Sequence, residues 1–192
     1  MRKSSPPSLF GRHLSRIHCV GVGGMGLGPL AVYLHQVGFN VTGEDDGITA
    51  DMRRLLENEG VELTGIPPDA EIVVYSSAIA KSHPAYVAAS ARGLPLVRRG
   101  EMLAEVVCER KLVAVCGSHG KTTPPAMIIA ALRSAQVPAG FVLGGLFADG
   151  SPVARAGSGD WVVAEIDESD GTIDRFSPEI TVAVNLDWPG WA

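Results

Sequence analysis

The sequence predicts an α/β protein built from two units, each on a parallel sheet. Two observations carry this reading. Short apolar runs alternate with segments whose apolar residues recur at helical spacing, the pattern of strands crossed over by helices. Two of those runs lead directly into glycine-rich turns, one at Gly21 to Gly26 and one at Gly117 to Gly120. A third observation concerns the second unit. It stops soon after a strand that ends at Asn185, so the chain reads as a fragment of something longer.

The elements follow in order. Residues 17–22 form a buried strand. Leu27, Leu30, Ala31, Leu34 and Val37 then give a helix that Gly38 stops. A short strand covers 39–42, and an amphipathic helix covers 50–59 before Gly60. A third strand covers 72–76, and a helix runs over 84–92 to Gly93. An extended piece at 95–98 leads into a helix at 101–108. In the second unit a strand covers 112–116 and a helix covers 126–135. Further strands lie at 140–143, 161–165 and 181–185. The expected division is a loose tail at 1–14, a first domain at 15–109 and a partial second domain at 110–192.

Composition narrows the function classes. The 192 residues are 46% hydrophobic and 19% charged, enough apolar material for a core. The net charge of −5 argues against a nucleic-acid wrapper or a basic membrane binder. Cys19, Cys108 and Cys116 lack metal-like spacing and do not form a disulfide framework, which fits a reducing, cytoplasmic setting. No apolar run reaches the ~18–20 residues of a membrane span.

Gly21-Val22-Gly23-Gly24-Met25-Gly26 fits G-x-G-x-x-G between a strand and a helix, the Rossmann-like arrangement. Glycine is needed there because the turn is tight and the backbone must approach a diphosphate at the helix N-terminus. Glu44-Asp45-Asp46 follows at the end of the next strand, where an acid commonly holds a ribose hydroxyl. The motif is consistent with NAD, FAD or a UDP-sugar.

Gly117-Ser118-His119-Gly120-Lys121-Thr122-Thr123 is a shortened phosphate loop, because Val115 stands where the longer form has its first glycine. Its N–H groups face phosphates, Lys121 supplies a point charge, and the following hydroxyl reaches Mg²⁺. Pro124 and Pro125 fall where the next helix should form, so that helix is expected to start late or the site to be weakened. Strand 161–165 runs into Glu165, Asp167, Glu168 and Asp170. Glu165, the first acid at the strand end, is the expected Mg²⁺ ligand.

These stretches, with Ser76-Ser77-Ala78-Ile79, Gly100-Glu101-Met102-Leu103-Ala104-Glu105 and Gly144-Gly145-Leu146, resemble the Mur ligases of peptidoglycan synthesis. Ser-Ser-Ala-Ile and Asp-Glu-Ser-Asp favour the branch that joins L-alanine to UDP-N-acetylmuramate. The resemblance implies a UDP-binding first domain, an ATP-binding central domain and a third domain for the amino acid. It implies that ATP phosphorylates the muramoyl carboxylate and that the alanine amine attacks the acyl phosphate. Gly23, Gly24, Met25 and Gly26 would then cradle the UDP diphosphate, with Asp45, Ser77, Ala78 and Ile79 near the nucleoside. Gly117, Ser118, His119, Gly120, Lys121, Thr122 and Thr123 would hold ATP. Lys121 would neutralise the γ-phosphate, and Thr122 with Glu165 would hold Mg²⁺; Lys121 and Glu165 are thus the catalytic pair.

The chain departs from the family in two places. Pro124-Pro125 stand where further threonines are usual, and Asp187 is followed by Trp188 where a histidine is usual. With these departures, and with the end of the ATP-binding domain and the whole amino-acid domain expected to be missing, the fragment is expected not to ligate. The neighbouring readings are a peptide-recycling ligase of the same nucleotide sugar, a non-catalytic UDP-sugar-binding remnant, and an NAD-dependent oxidoreductase that leaves the second glycine turn unexplained. His18 and His35 read as packing or surface residues, His83 as a turn residue, and Arg98 with Arg99 as a solvated basic pair. His119 reads equally as a phosphate contact or as a positioned loop residue.

Overall fold

The structure is a computed structural model that describes residues 8–117, 119–121, 123–145, 151–167 and 170–185. It divides into two compact units, Met1–Val106 and Val107–Ala192. Each has its own sheet.

The first unit alternates strand and helix throughout. β1 (Arg16–Val20) is followed by α1 (Leu27–Gln36), β2 (Asn40–Glu44), α2 (Ala50–Asn58) and β3 (Glu62–Leu63). β4 (Ile72–Tyr75), α3 (Pro84–Ala91), β5 (Leu96–Arg98) and α4 (Arg99–Val107) complete it. The sheet order is β3-β2-β1-β4-β5 and every pairing is parallel. The chain moves outward from β1 on one side, then restarts at β4 on the other. That reversal opens a crevice beyond the carboxyl ends of β1 and β4, where open α/β sheets bind ligands.

Packing explains the elements. β1 is central and buried from Ile17 onward, as a strand covered on both faces should be. α1 is buried without interruption from Leu27 to Leu34. Its close seat depends on Gly28, where an added methyl would lie 2.9 Å from both Met52 Sδ and the Val22 carbonyl oxygen. α2 is half-exposed and buries only Met52 and Leu56. Thr49 starts it by accepting the Met52 N–H at 3.3 Å. Glu71 accepts the Ser15 N–H at 2.7 Å and the Arg16 N–H at 2.8 Å. These backbone donors hold its carboxyl below the usual range.

Several boundaries differ from expectation. β1 stops at Val20, because Gly21 adopts φ +84° and turns the chain. β2 runs through Gly43, where an added Cβ would sit 2.9 Å from the Val22 Cβ. The stretch expected to be a loose tail is held at its far end. Leu9 is 1% exposed, it exchanges two 2.9 Å backbone bonds with Arg12, and the Phe10 N–H donates to Glu105.

The second unit contains β6 (Lys111–Cys116), α5 (Thr123–Ser134), β7 (Gly140–Val142), β8 (Ala154–Arg155), β9 (Trp161–Glu165) and β10 (Ile180–Ala183), with a 3-10 turn at Ile173–Arg175. The order is β10-β6-β9-β7-β8, parallel except for β7 against β8. Val113, Val115, Ile129, Phe141, Leu143 and Val163 form its core.

The expectation for α5 is corrected. The helix starts at Thr123, not late, and places Pro124 and Pro125 in its first turn. The first four N–H groups of a helix have no partner inside it, so the two prolines remove no intrahelical bond. β8, a short antiparallel addition, has no counterpart in the expected order.

Candidate functional site

The first unit gathers its glycine turn at the crevice between β1 and β4. The N–H groups of Gly21 and Val22 both donate to the Glu44 carbonyl, at 2.9 and 3.2 Å. The Gly24 N–H donates to the Gly21 carbonyl at 3.1 Å. The turn is thereby tied to the end of β2. On its other side a methyl at Gly21 would lie 3.0 Å from the Ser76 Cβ and 3.1 Å from the Ile79 Cγ1. The loop after β4 therefore closes directly on the loop after β1. That loop is itself a turn, with the Ile79 N–H on the Ser76 carbonyl at 2.9 Å and the Ala78 N–H on the Ser76 hydroxyl at 3.3 Å.

Asp45 reaches into the same place. Its Oδ2 accepts the Gly23 N–H at 2.9 Å and its Oδ1 accepts the Gly47 N–H at 2.8 Å. A Cβ on Gly23 would meet that carboxylate at 2.8 Å. The structure thus brings Gly23 and Asp45 into hydrogen-bond contact, and sets Ile79 against Gly21 in the turn. Ser77 and Ala78 lie in the turn between Ser76 and Ile79. Gly26 caps α1, and Met25 is 39% exposed at the turn.

Four side chains around this turn carry structure that sequence reasoning placed differently or left bare. Arg99, expected to be solvated, is buried at 8% exposure. Its neighbour Arg98 pairs with Glu101 at 3.2 Å. His83 is more than a turn residue: its Nδ1 accepts the Ala85 N–H at 3.2 Å to cap α3, and its Nε2 lies 3.1 Å from Asp46. His18 is fully buried, with Thr42 Oγ1 at 2.8 Å and Glu44 Oε1 at 3.0 Å. Burial lowers its pKa, against the raising influence of Glu44.

The second unit forms a cradle at the carboxyl ends of β6 and β9. Gly117 at φ +145° and Gly120 at φ +72° give the loop its path. Asn185 pins it. Its Oδ1 accepts the His119 N–H at 3.3 Å, and its Nδ2 donates to the His119 carbonyl at 2.7 Å. His119 is held through its backbone. Asn185 was legible only as a strand end; an amide beyond a strand adjacent to the loop strand is the signal for this role.

Register places Val115 of β6 opposite Glu165 of β9. The Glu165 Oε2 accepts the Gly144 N–H at 3.0 Å, and a methyl at Gly144 would lie 2.8 Å from Oε1. Lys121 Nζ lies 3.7 Å from the Asp167 Oδ1 and is 16% exposed. The lysine is paired to Asp167, the second acid at the strand end, and Glu165 to the β7 loop. Thr123 is the first residue of α5. Ser118, Thr122, Glu168 and Ser169 lie outside the described residues, as do Asp187 and Trp188.

The donor set fits a magnesium–nucleotide complex. Magnesium keeps several waters and takes one or two carboxylates plus phosphate oxygens, not a closed protein cage. Among the described residues there is no group of three or more His, Cys, Asp or Glu poised for a metal. Glu165, fixed at one oxygen by the Gly144 N–H, is a carboxylate of the kind such a complex takes.

A family model described as "Mur ligase family, catalytic domain" matches residues 16–111. A UDP-N-acetylmuramate–L-alanine ligase from a Chelativorans species is 43% identical over 175 residues, covering 89% of this chain and 38% of that protein. The protein of the same name from Bartonella quintana is 42% identical over 180 residues, covering 91% of this chain and 38% of its own length. The chain therefore spans little more than a third of these curated relatives. Among solved structures, the UDP-N-acetylmuramate-alanine ligase of Thermotoga maritima superposes with a TM-score of 0.80 at 27% identity, covering 88% of this chain and 41% of the other. A murein peptide ligase of Psychrobacter arcticus does so at 0.78 and 25%, covering 91% and 43%. With the family match extending over the whole first sheet into β6, the chain belongs to the Mur ligase family.

Proposed function

We propose that this chain is the nucleotide-sugar-binding and ATP-cradling part of a ligase that joins L-alanine to UDP-N-acetylmuramate. The observation that carries the reading is the pairing of β6 with β9, which sets the Lys121 loop and Glu165 at the carboxyl ends of neighbouring strands. Phosphoryl transfer needs positioning and charge neutralisation more than covalent help from the protein.

In this reading Gly23, Gly24, Met25 and Gly26 cradle the UDP diphosphate. Asp45, Ser77, Ala78 and Ile79 line the nucleoside end. Gly117, Ser118, His119, Gly120, Lys121, Thr122 and Thr123 wrap the phosphates of ATP. Lys121 leaves Asp167 for the γ-phosphate and offsets the charge developing there. Thr122 and Glu165 hold Mg²⁺, which supplies Lewis-acid neutralisation of the phosphate oxygens when bound. The muramoyl carboxylate oxygen attacks the γ-phosphorus and ADP leaves. The alanine amine then attacks the acyl carbon, its nitrogen gives up a proton to solvent, inorganic phosphate leaves with the acyl C–O electron pair, and an amide remains. The setting is cytoplasmic, where ATP and the nucleotide sugar meet. Among the described residues, no helix is long and apolar enough to cross a membrane.

A second reading has its own support. Murein peptide ligases from Psychrobacter arcticus and Neisseria superpose at TM-scores of 0.78 and 0.79, beside 0.80 for the alanine ligase. A ligase that recycles a peptide onto the same nucleotide sugar would share this machinery, except in details around Ser76 and Ser169. Titration calorimetry with UDP-N-acetylmuramate, Mg·ATP and NADH, each alone, tests what the two readings share. Heat with UDP-N-acetylmuramate and none with NADH is expected. Heat with NADH alone would overturn both.

A further inference from the structure

The two loops that flank the glycine turn of the first unit are joined by a side-chain pair that the proposed function does not use. In the sheet order β2-β1-β4, the strands β2 and β4 lie one on each side of β1. Two strand spacings put them about 9.5 Å apart. A contact between the loops that follow them has to span the carboxyl end of β1, where the glycine turn lies. Such a contact exists. His83 Nε2, at the far end of the loop after β4, lies 3.1 Å from the Oδ2 of Asp46, in the loop after β2.

Each partner is anchored to one side of the crevice. Asp46 continues directly from Asp45, whose carboxylate accepts the Gly23 N–H at 2.9 Å and the Gly47 N–H at 2.8 Å. On the other side, the Ile79 N–H donates to the Ser76 carbonyl and the His83 N–H to the Ala80 carbonyl, both at 2.9 Å. The loop from Ser76 to His83 is thus made of linked turns. His83 is itself fixed as the N-cap of α3: its Nδ1 accepts the Ala85 N–H at 3.2 Å, and Pro84 opens the helix behind it. An Nδ1 that accepts carries no proton, so the neutral ring holds its proton on Nε2 and donates it to Asp46. The histidine side chain is 18% exposed and that of Asp46 88% exposed. An exposed pair contributes little to stability, so its effect lies in where it sets the loops.

We infer that His83 and Asp46 are positioning residues for the nucleoside. Their bond sets the spacing between the Asp45 loop and the turn at Ser77, Ala78 and Ile79, the two walls of the nucleoside end. The inference rests on the nucleotide-sugar reading and adds to it a pair that acts through the loops, not on the ligand. Unlinked loops have to be ordered when the ligand binds, and that ordering weakens the complex. The bond supplies the order beforehand.

The test is calorimetric titration of the full chain with UDP-N-acetylmuramate, alongside urea unfolding. It compares the parent with His83→Asn, Asp46→Ala, Asp46→Asn and the double variant His83→Asn/Asp46→Ala. Asparagine at 83 keeps an acceptor for the Ala85 N–H but is too short to reach Asp46. His83→Asn and Asp46→Ala should each weaken binding about two- to fivefold, with unfolding midpoints like the parent's. The double variant should be no weaker than either single, because one bond is lost in all three. Removing a negative charge by itself favours a diphosphate ligand, so weaker binding in Asp46→Ala runs against the charge effect. Asp46→Asn loses the same charge, keeps an acceptor for the Nε2–H, and should bind more tightly than Asp46→Ala. Parent-like or tighter binding in both singles overturns the inference. So does a double variant weakened by the product of the singles, an Asp46→Asn chain no tighter than Asp46→Ala, or an affinity loss that tracks the unfolding midpoint. A parent that gives no heat with UDP-N-acetylmuramate overturns the nucleotide-sugar reading itself and the inference with it, a result distinct from all of these.

Discussion

Replacing Gly144 with alanine should separate nucleotide binding from stability in the second unit. The added Cβ would lie 2.8 Å from the Glu165 Oε1 and 2.9 Å from its Cδ. Both distances are well inside van der Waals contact, so the carboxylate must move. It can move, because it ends a flexible side chain at a half-buried site. Gly144 is not in the left-handed region of φ, so alanine costs no backbone strain there. Alanine also lowers the entropy of the unfolded chain by ~0.4–1 kcal/mol, which offsets part of the lost 3.0 Å bond from the Gly144 N–H. Net stability should fall by no more than ~2.5 kcal/mol.

Binding should not stay level. A hydrogen bond to a charged group contributes ~1.5–3 kcal/mol where it fixes geometry. Losing the fixed carboxylate predicts Mg·ATP binding weaker by ~10–100-fold, with binding of ATP in EDTA unaffected. Calorimetric titration gives the affinities and urea unfolding gives the stability. Parent-like Mg·ATP affinity in Gly144→Ala, beside a clear loss in Glu165→Gln, would falsify the claim that Gly144 sets the metal ligand. A large fall in unfolding midpoint would refute the claim that the strain drains into a movable side chain.

Three further outcomes are expected. His18 is buried with its pKa lowered, so below about pH 6.5 the unfolded chain binds more protons than the folded one. Stability is full above that pH and falls as the pH drops through it. Thermal melts from pH 8 to 5 should show the decline, and His18→Gln should flatten it; an unchanged slope would remove His18 as the cause. Gly157 sits at φ +66°, and a Cβ there would meet the Ala139 carbonyl carbon at 2.5 Å. Because the obstacle is backbone and cannot rotate away, Gly157→Ala should lose ~2 kcal/mol or more in urea unfolding, and a parent-like midpoint would refute it. Burial pushes the Cys19 thiol up to about 12, whereas Cys108 is exposed. Iodoacetamide at pH 8 should modify Cys108 and spare Cys19 until the chain is unfolded, as peptide mass mapping would show.

Legibility in the sequence followed the range of the interactions involved. β9 is Trp161–Glu165 as the residues suggested, because an apolar run bounded by Gly159-Asp160 and an acidic turn needs no distant information. β3 and β8 are two residues each, too short to show a period, and exist because a neighbouring strand offers its edge. Pro124 and Pro125 look like helix breakers in the sequence, but their effect depends on where α5 begins. The glycine turns were visible because their chemistry is local. The burial of Arg99 was not, since it depends on α4 starting where the sheet delivers it. Asn185 likewise acts across the fold, on a loop far from it in the chain.

The pairing pattern of the two sheets also bears on how the chain is made. In the first sheet β1 meets β2 at Asn40 and β4 at Ile72, so its centre can be assembled early in synthesis. In the second, β6 must wait. Lys111 finds its partner only when Trp161 has appeared, and Val113 finds its other partner only at Ile180. Ribosomes add ~5–20 residues per second, so the apolar strand Leu112 to Val115 spends seconds without either neighbour. Non-local parallel pairing is slow and exposes sticky edges while it is pending. The first unit should therefore emerge already folded, and the strand that leads into the ATP cradle should be the segment most dependent on chaperones during translation.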